Sequence, residues 1–264
     1  MKYLRNTLIG LALLAALVGL LLWFLPASWV LPWIELQLHG MHLQQVHGSA
    51  WDGEAGEVTA ADGKPLGRVQ WQLSRRALLG DLRVHLAFDG PKLAVTTSLR
   101  RLPHDQLEAT NLRLRADLAL LDAYPAPALG RPHGQLQLSA GRILLQGGWP
   151  LQLQADGLWQ HAAVQTEDGE VALGEMQFDA KAQGGVIEAQ WHDVGGGPLQ
   201  ARGQLQLSPL GWCLDATLRA RALDPALQRW LARVGPTSPD GSVHVQQSGG
   251  LAQSPPAHAG ATPP

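Results

Sequence analysis

The feature that most constrains this chain is an uninterrupted apolar run from Leu8 to Leu25, whose 18 positions hold no charged residue. A helix of that length approaches the roughly 20 residues needed to span about 30 Å of hydrocarbon. A helix is also the only form in which a lone segment satisfies its own backbone groups in lipid. Lys2 and Arg5 precede the run, and no Lys or Arg follows before Lys64. The positive-inside bias therefore keeps the N-terminus in the cytoplasm and exports everything beyond Leu25. Trp23, Trp29 and Trp33 gather at the far end, where amphipathic rings favour the headgroup layer, and Pro26 stops the helix by withholding a donor. A cleaved signal peptide has a shorter core and ends at small residues in an A-x-A pattern. Here Leu25-Pro26-Ala27 puts Leu where a small residue belongs. The reading is an uncleaved anchor over 8–25, with 1–7 as a cytoplasmic stub and 26–36 as a juxtamembrane linker.

The rest of the chain has to fold outside the membrane. The apolar fraction of 45% suffices for a core, and a charged fraction of 16% is inconsistent with wholesale disorder. A net charge of −2 gives no electrostatic reason to expect nucleic acid. Cys213 is the only cysteine, so no intramolecular disulfide can form and burial must hold the exported part together. Next to Trp212 in an apolar, strand-like stretch, Cys213 is expected as a buried core thiol.

From Leu36 the period of the sequence becomes two. Leu36, Leu38 and Leu43 alternate with polar residues, as do Val69–Leu73, Leu112–Arg115 and Leu151–Ala155. The hexapeptide GQLQLS at Gly134–Ser139 returns unchanged at Gly203–Ser208, a hint of internal duplication that low-complexity Leu/Gln strands also produce by chance. Asp-Gly pairs at 52–53, 62–63, 89–90, 156–157, 168–169 and 240–241 predict hairpin turns, because both residues tolerate positive φ. Gly195-Gly196-Gly197 before Pro198 reads as a flexible turn. Asp224 as N-cap, Pro225, the Leu227/Trp230/Leu231/Val234 spacing and a left-handed Gly235 predict a short amphipathic helix. A weaker helical turn is expected at Leu118–Tyr124. The fold class is mainly β: a single N-terminal transmembrane helix, then an antiparallel β-meander (a folded-over sheet or groove) over 37–250 with a short C-terminal amphipathic helix. Residues 251–264, rich in Pro and Ala and without apolar period, are expected to be disordered.

Catalytic patterns do not emerge. His39, His42 and His47 are spaced so that strand geometry sends them to different faces, which disfavours a metal site. The groups Asp52/Glu54/Glu57 and Glu167/Asp168/Glu170 lie around expected turns, where solvated carboxylates are ordinary. There is no nucleophile elbow and no phosphate-cradling glycine loop. No cofactor is expected, and the protein is read as a non-enzyme. Two stretches are sharper: Gly48-x2-Trp51-x-Gly53-x-Ala55, and Gly67-x3-Trp71-x-Leu73 followed by Leu78-Leu79-Gly80-x-Leu82. Each puts a Trp in a strand-like segment bounded by glycine. Such a Trp either buries roughly 200 Å² in the core or lines a surface that meets lipid or a partner strand.

These stretches, with Gly157-Leu-Trp159, the Gly195–Gly203 segment and Leu227-x2-Trp230-Leu231-x3-Gly235, occur in an order that resembles the N component of the bacterial type II secretion system (general secretion pathway protein N). The resemblance implies a single-pass inner-membrane accessory with its bulk in the periplasm. It assists the export of folded proteins across the outer membrane and contacts the clamp-like C component or the outer-membrane secretin. It marks Gly48, Trp51, Gly53, Trp71, Leu73, Gly80, Trp159 and Trp230 as candidate motif or contact residues. The anchored Leu/Gln meander also resembles AsmA-like envelope proteins, which implies lipid handling by an apolar β-groove as the alternative.

Overall fold

The computed structural model describes residues 25–27, 29, 40–60, 63–125, 127 and 129–250. The expected anchor apart from Leu25, most of the linker and the 251–264 tail lie outside the described residues. Among those described, no helix is long and apolar enough to cross a membrane.

The chain divides into two compact units between His104 and Asp105. Unit 1 holds β1 (His42–Gly48), β2 (Asp52–Thr59), β3 (Pro65–Leu73), β4 (Arg83–Asp89) and β5 (Leu93–Leu102), each antiparallel to its sequence neighbour. Unit 2 holds β6 (Gln106–Asp117), β7 (Arg131–Gln146), β8 (Trp149–Thr166), β9 (Gly169–Gln183) and β10 (Val186–Asp193). It continues with β11 (Leu199–Ser208), β12 (Gly211–Ala220) and β13 (Ser242–Gly250), with helix α1 (Pro225–Val234) between the last two. Every neighbouring pair in unit 2 is again antiparallel. The meander and its late helix are those the period and the caps predict, and both copies of GQLQLS are strand, in β7 and β11.

The turns differ in detail from expectation. Two-residue hairpins close β7–β8 with Gly147-Gly148 and β9–β10 with Gly184-Gly185, all four with positive φ. Two consecutive positive φ values match the twist of the flanking strands, and glycine reaches them without steric penalty. The Asp-Gly pairs at 52–53, 89–90, 168–169 and 240–241 lie in loops or at strand ends, and Asp62 falls outside the described residues. Asp156-Gly157, however, is inside β8. There Gly157 opposes Leu138 and Phe178, and a Cβ on it would come within 2.5 Å of Leu138 Cδ2. Its glycine serves close packing rather than a turn. A 3₁₀ helix forms at Leu118–Ala123, where Asp117 Oδ1 accepts from Ala119 N at 3.0 Å. A second, Arg75–Leu79, has no counterpart in the sequence reading.

Helix α1 organises the core of unit 2. Asp224 Oδ1 accepts from Ala226 N at 2.8 Å and Leu227 N at 3.4 Å, as an N-cap should. Gly235 is extended (φ 177°) rather than left-handed. Pro236 disfavours the helical region for the residue before it, and Gly235 lies against Val243, whose Cγ1 would be 3.2 Å from an added Cβ. Leu227, Trp230 and Leu231 turn inward onto Val164 of β8, Val171 and Leu173 of β9, Leu199 of β11 and Val243 of β13. Leu227 is 0% exposed. Cys213 is half-buried, not core. The pleat of β12 puts Trp212, Leu214, Ala216 and Leu218 on one face and Cys213 with Asp215 and Thr217 on the other. Cys213 accordingly sits between the register partners Gln206 and Ser248.

A polar clamp holds the β10–β11 turn. Asp193 accepts from Ala201 N at 2.8 Å and Gly195 N at 3.2 Å and pairs with the Arg221 guanidinium, which also donates to the carbonyls of Gly197 and Leu199. Burial pushes the Asp193 carboxyl up, but the Ala201 N–H and the Arg221 guanidinium together outweigh it and hold the group below the usual carboxylate range.

Two outcomes are expected. Leu227→Ala leaves a void under α1 and costs about 2–5 kcal/mol of unfolding free energy, read from denaturant titration. For Asp193 the folded-state pKa lies below the unfolded value of roughly 3.9, so its stabilisation is complete above that pH and fades as pH falls through the lower, folded value. Asp193→Asn should lower the melting temperature at neutral pH, with the gap to wild type narrowing below roughly pH 4.

Candidate functional site

Six of the eight candidate residues meet at one end of unit 1. Gly48 closes β1, and Gly53, the second residue of β2, lies directly opposite it. A Cβ on Gly48 would lie 2.5 Å from the Asp52 carbonyl oxygen, and its φ of 89° independently favours glycine. Between them Ser49 Oγ accepts from Asp52 N at 3.1 Å and Trp51 N at 3.3 Å, which tightens the loop. Trp51 is buried, and its carbonyl accepts from Leu73 N at 2.6 Å. Trp71 opposes Gly53 in register, its ring lying over the bare Cα. Beyond Leu73 the chain turns through the 3₁₀ helix, whose cap Gly80 is left-handed (φ 90°) and donates to Ala77 O at 3.0 Å.

The same end receives the chain leaving the apolar run. Ala50 N donates to Leu25 O at 2.9 Å, Pro26 bridges to Ser49, and Ala27 is buried.

Trp71 and Leu73 also line an apolar cavity of about 650 Å³ whose walls include Leu43, Val69, Val84, Leu86, Phe88 and Val95. Register explains the wall: Val69 faces Phe88, Trp71 faces Leu86 and Leu73 faces Val84, while Phe88 faces Val95 on the other side. Every lining side chain is apolar, yet those of β3, β4 and β5 are only half-buried or exposed. Val84, Leu86, Phe88, Leu93 and Val95 are absent from the motifs read in the sequence, although their two-residue spacing is the signal that finds them.

Trp159 and Trp230 belong to unit 2 and serve its core. Trp159 packs against the α1 cluster and its Nε1 donates to His133 O at 2.9 Å. Trp230 is buried, and its Nε1 donates to Leu129 O at 2.9 Å. The placing of Trp71 over Gly53 recurs with Trp191 over Gly203 and Trp212 over Gly249, each a register pair. A ring laid across a glycine covers backbone that would otherwise face water on both sides.

Charge at the loop end of unit 1 is concentrated around Asp81. Its carboxylate takes Arg83 at 2.8 Å and Arg100 at 3.2 Å, and the hydrogen bond from Arg83 above all holds it below the usual carboxylate range. Among the described residues no cluster of three or more metal-ligating side chains occurs.

Comparison with curated proteins and with solved structures returns no match. Among family models, that of type II secretion system (T2SS), protein N, matches residues 39–246, a span that takes in all eight motif residues. The chain belongs to the type II secretion system protein N family.

Proposed function

We propose that this protein is a non-catalytic accessory of type II secretion, held in the inner membrane by Leu8–Leu25 with its β units in the periplasm. Its partners in this reading are the C component and the outer-membrane secretin. The observation that carries the reading is the family match over residues 39–246. The motif residues are glycines, tryptophans and leucines, which set backbone and packing and offer no acid, base or nucleophile.

Photocrosslinking in cells tests the partner assignment, with probes at the exposed positions Leu66, Leu210 and Trp212. Trp51 and Trp230 are poor probe sites because they are buried. Adducts to the secretin or the C component are expected, together with periplasmic retention of cargo in the deletion strain. Unimpaired secretion in that strain would remove the accessory role. An active alkaline phosphatase fusion at the C-terminus is expected from the topology, and an inactive one beside an active cytoplasmic reporter would reverse it.

The half-exposed apolar cavity of unit 1 favours a second reading, lipid handling, since soluble surfaces rarely leave such a face uncovered. Native mass spectrometry of the purified protein would then show bound phospholipid that Leu86→Glu abolishes without loss of β circular dichroism. Lipid-free wild type would end this alternative.

A further inference from the structure

We propose that the end of unit 1 built from the β1–β2 loop and the Arg75–Leu79 turn docks on an anionic bilayer surface, the one the apolar run enters. The docking rests on the reading of Leu8–Leu25 as a membrane anchor.

Three observations converge there. First, the tether has no slack. Leu25 is the last residue of the apolar run, and its own carbonyl is hydrogen-bonded to Ala50 at 2.9 Å, with Pro26 bridged to Ser49. If Leu8–Leu25 spans the hydrocarbon, this loop lies at the headgroups. No linker can carry it away without breaking those contacts.

Second, the surface beside the tether is apolar where water would otherwise meet it. Leu79 is 89% exposed, Leu78 and Leu82 are also exposed, and Trp29, just past the tether, is 65% exposed. A Trp and a leucine pair next to arginines is the composition of segments that sit in the headgroup layer, with apolar side chains dipping inward and guanidinium groups at the phosphates.

Third, the charge has the right sign. Arg75, Arg76, Arg83, Arg100 and Arg101 occupy this end, against the carboxylates Asp52, Glu54 and Asp81. Asp81 draws Arg83 and Arg100 together beside the leucine turn. Cationic residues near an anionic leaflet are attracted within about a Debye length, roughly 8 Å at physiological salt. A protein partner is the weaker fit, because a five-residue turn presents far less than the ~1,200 Å² or more that a stable protein interface buries, whereas shallow insertion into lipid needs no matching surface.

The test uses the full chain in nanodiscs of phosphatidylethanolamine and phosphatidylglycerol, with Cys213→Ser removing the native thiol. A bimane fluorophore is placed singly at Leu79→Cys, at Lys92→Cys in the β4–β5 turn at the opposite end of unit 1, and at Ala16→Cys in the apolar run. Nitroxides on lipid headgroups should quench position 79 about twofold or more over position 92, and Arg75→Gln with Arg76→Gln should narrow that difference while the Leu25 and Pro26 contacts keep part of it. Quenching at 79 no stronger than at 92, with Ala16→Cys quenched by acyl-chain nitroxides, would overturn the docking and leave the anchor intact. An unquenched Ala16→Cys would remove the anchor and the docking with it. A photocrosslinker at Leu79 that captures protein instead of lipid in cells would also overturn the proposal.

Discussion

A β-sheet with one apolar face is stabilised by having that face covered, and among the described residues the two units of this chain differ in how far it is. In unit 2 the cover is α1. Its capped first turn fixes where the helix starts, so that Leu227, Trp230 and Leu231 come down on β8, β9, β11 and β13. The largest fully shielded side chains, Leu199, Leu227 and Val243, all belong to that contact. Unit 1 has an equally regular apolar face, yet among the described residues the side chains that β3 and β4 contribute to it stay half-buried or exposed. Removing such area from water is worth roughly 25 cal/mol per Å², so a face left open carries a standing drive to bind apolar matter. That drive is what the lipid-handling reading rests on, and it belongs to the cavity of unit 1.

Tryptophan does much of the structural work at strand level. Three of the rings lie over a glycine that is their register partner, at Gly53, Gly203 and Gly249. The pairing is mutual: the ring needs the flat space that only a missing Cβ leaves, and the glycine, a poor strand former by itself, gains cover. Substituting either member therefore disturbs the other, and the motif glycines and tryptophans are better understood as pairs than as separate positions.

Much of this architecture is legible in the sequence because it rests on local rules. Period-two alternation locates strands such as Val69–Leu73 and Leu151–Ala155, and Asp224-Pro225 locates the helix start to the residue. The failures are equally local in origin. Asp-Gly at 156–157 satisfies every turn preference, but the side chain of Leu138 across the ladder requires a glycine there for a different reason. The place of Gly235 after the helix argues for a left-handed conformation, and Pro236 overrides it. Cys213 beside Trp212 suggests burial, yet Trp212 is itself exposed and Cys213 half-buried, so the neighbour is the wrong guide. The cavity of unit 1 stays hidden because it depends on register between β3, β4 and β5, which no single stretch of sequence encodes.

The fixed positions of Gly48-x2-Trp51-x-Gly53-x-Ala55 carry no acid, base or nucleophile, and their geometry says what they fix instead. Gly48 and Gly53 allow the hairpin to close, Ala55 is fully buried beneath it, and Trp51 ties its carbonyl to Leu73. The hairpin so braced is the one that receives the Leu25 carbonyl and Pro26. Loosening any of these residues would not remove a reacting group; it would loosen the seat of Leu25 and Pro26 on the hairpin. On the proposed reading of Leu8–Leu25 as a membrane anchor, that seat decides which face of unit 1 is turned toward the membrane, which is how a motif without a reacting group would serve a member of a secretion family.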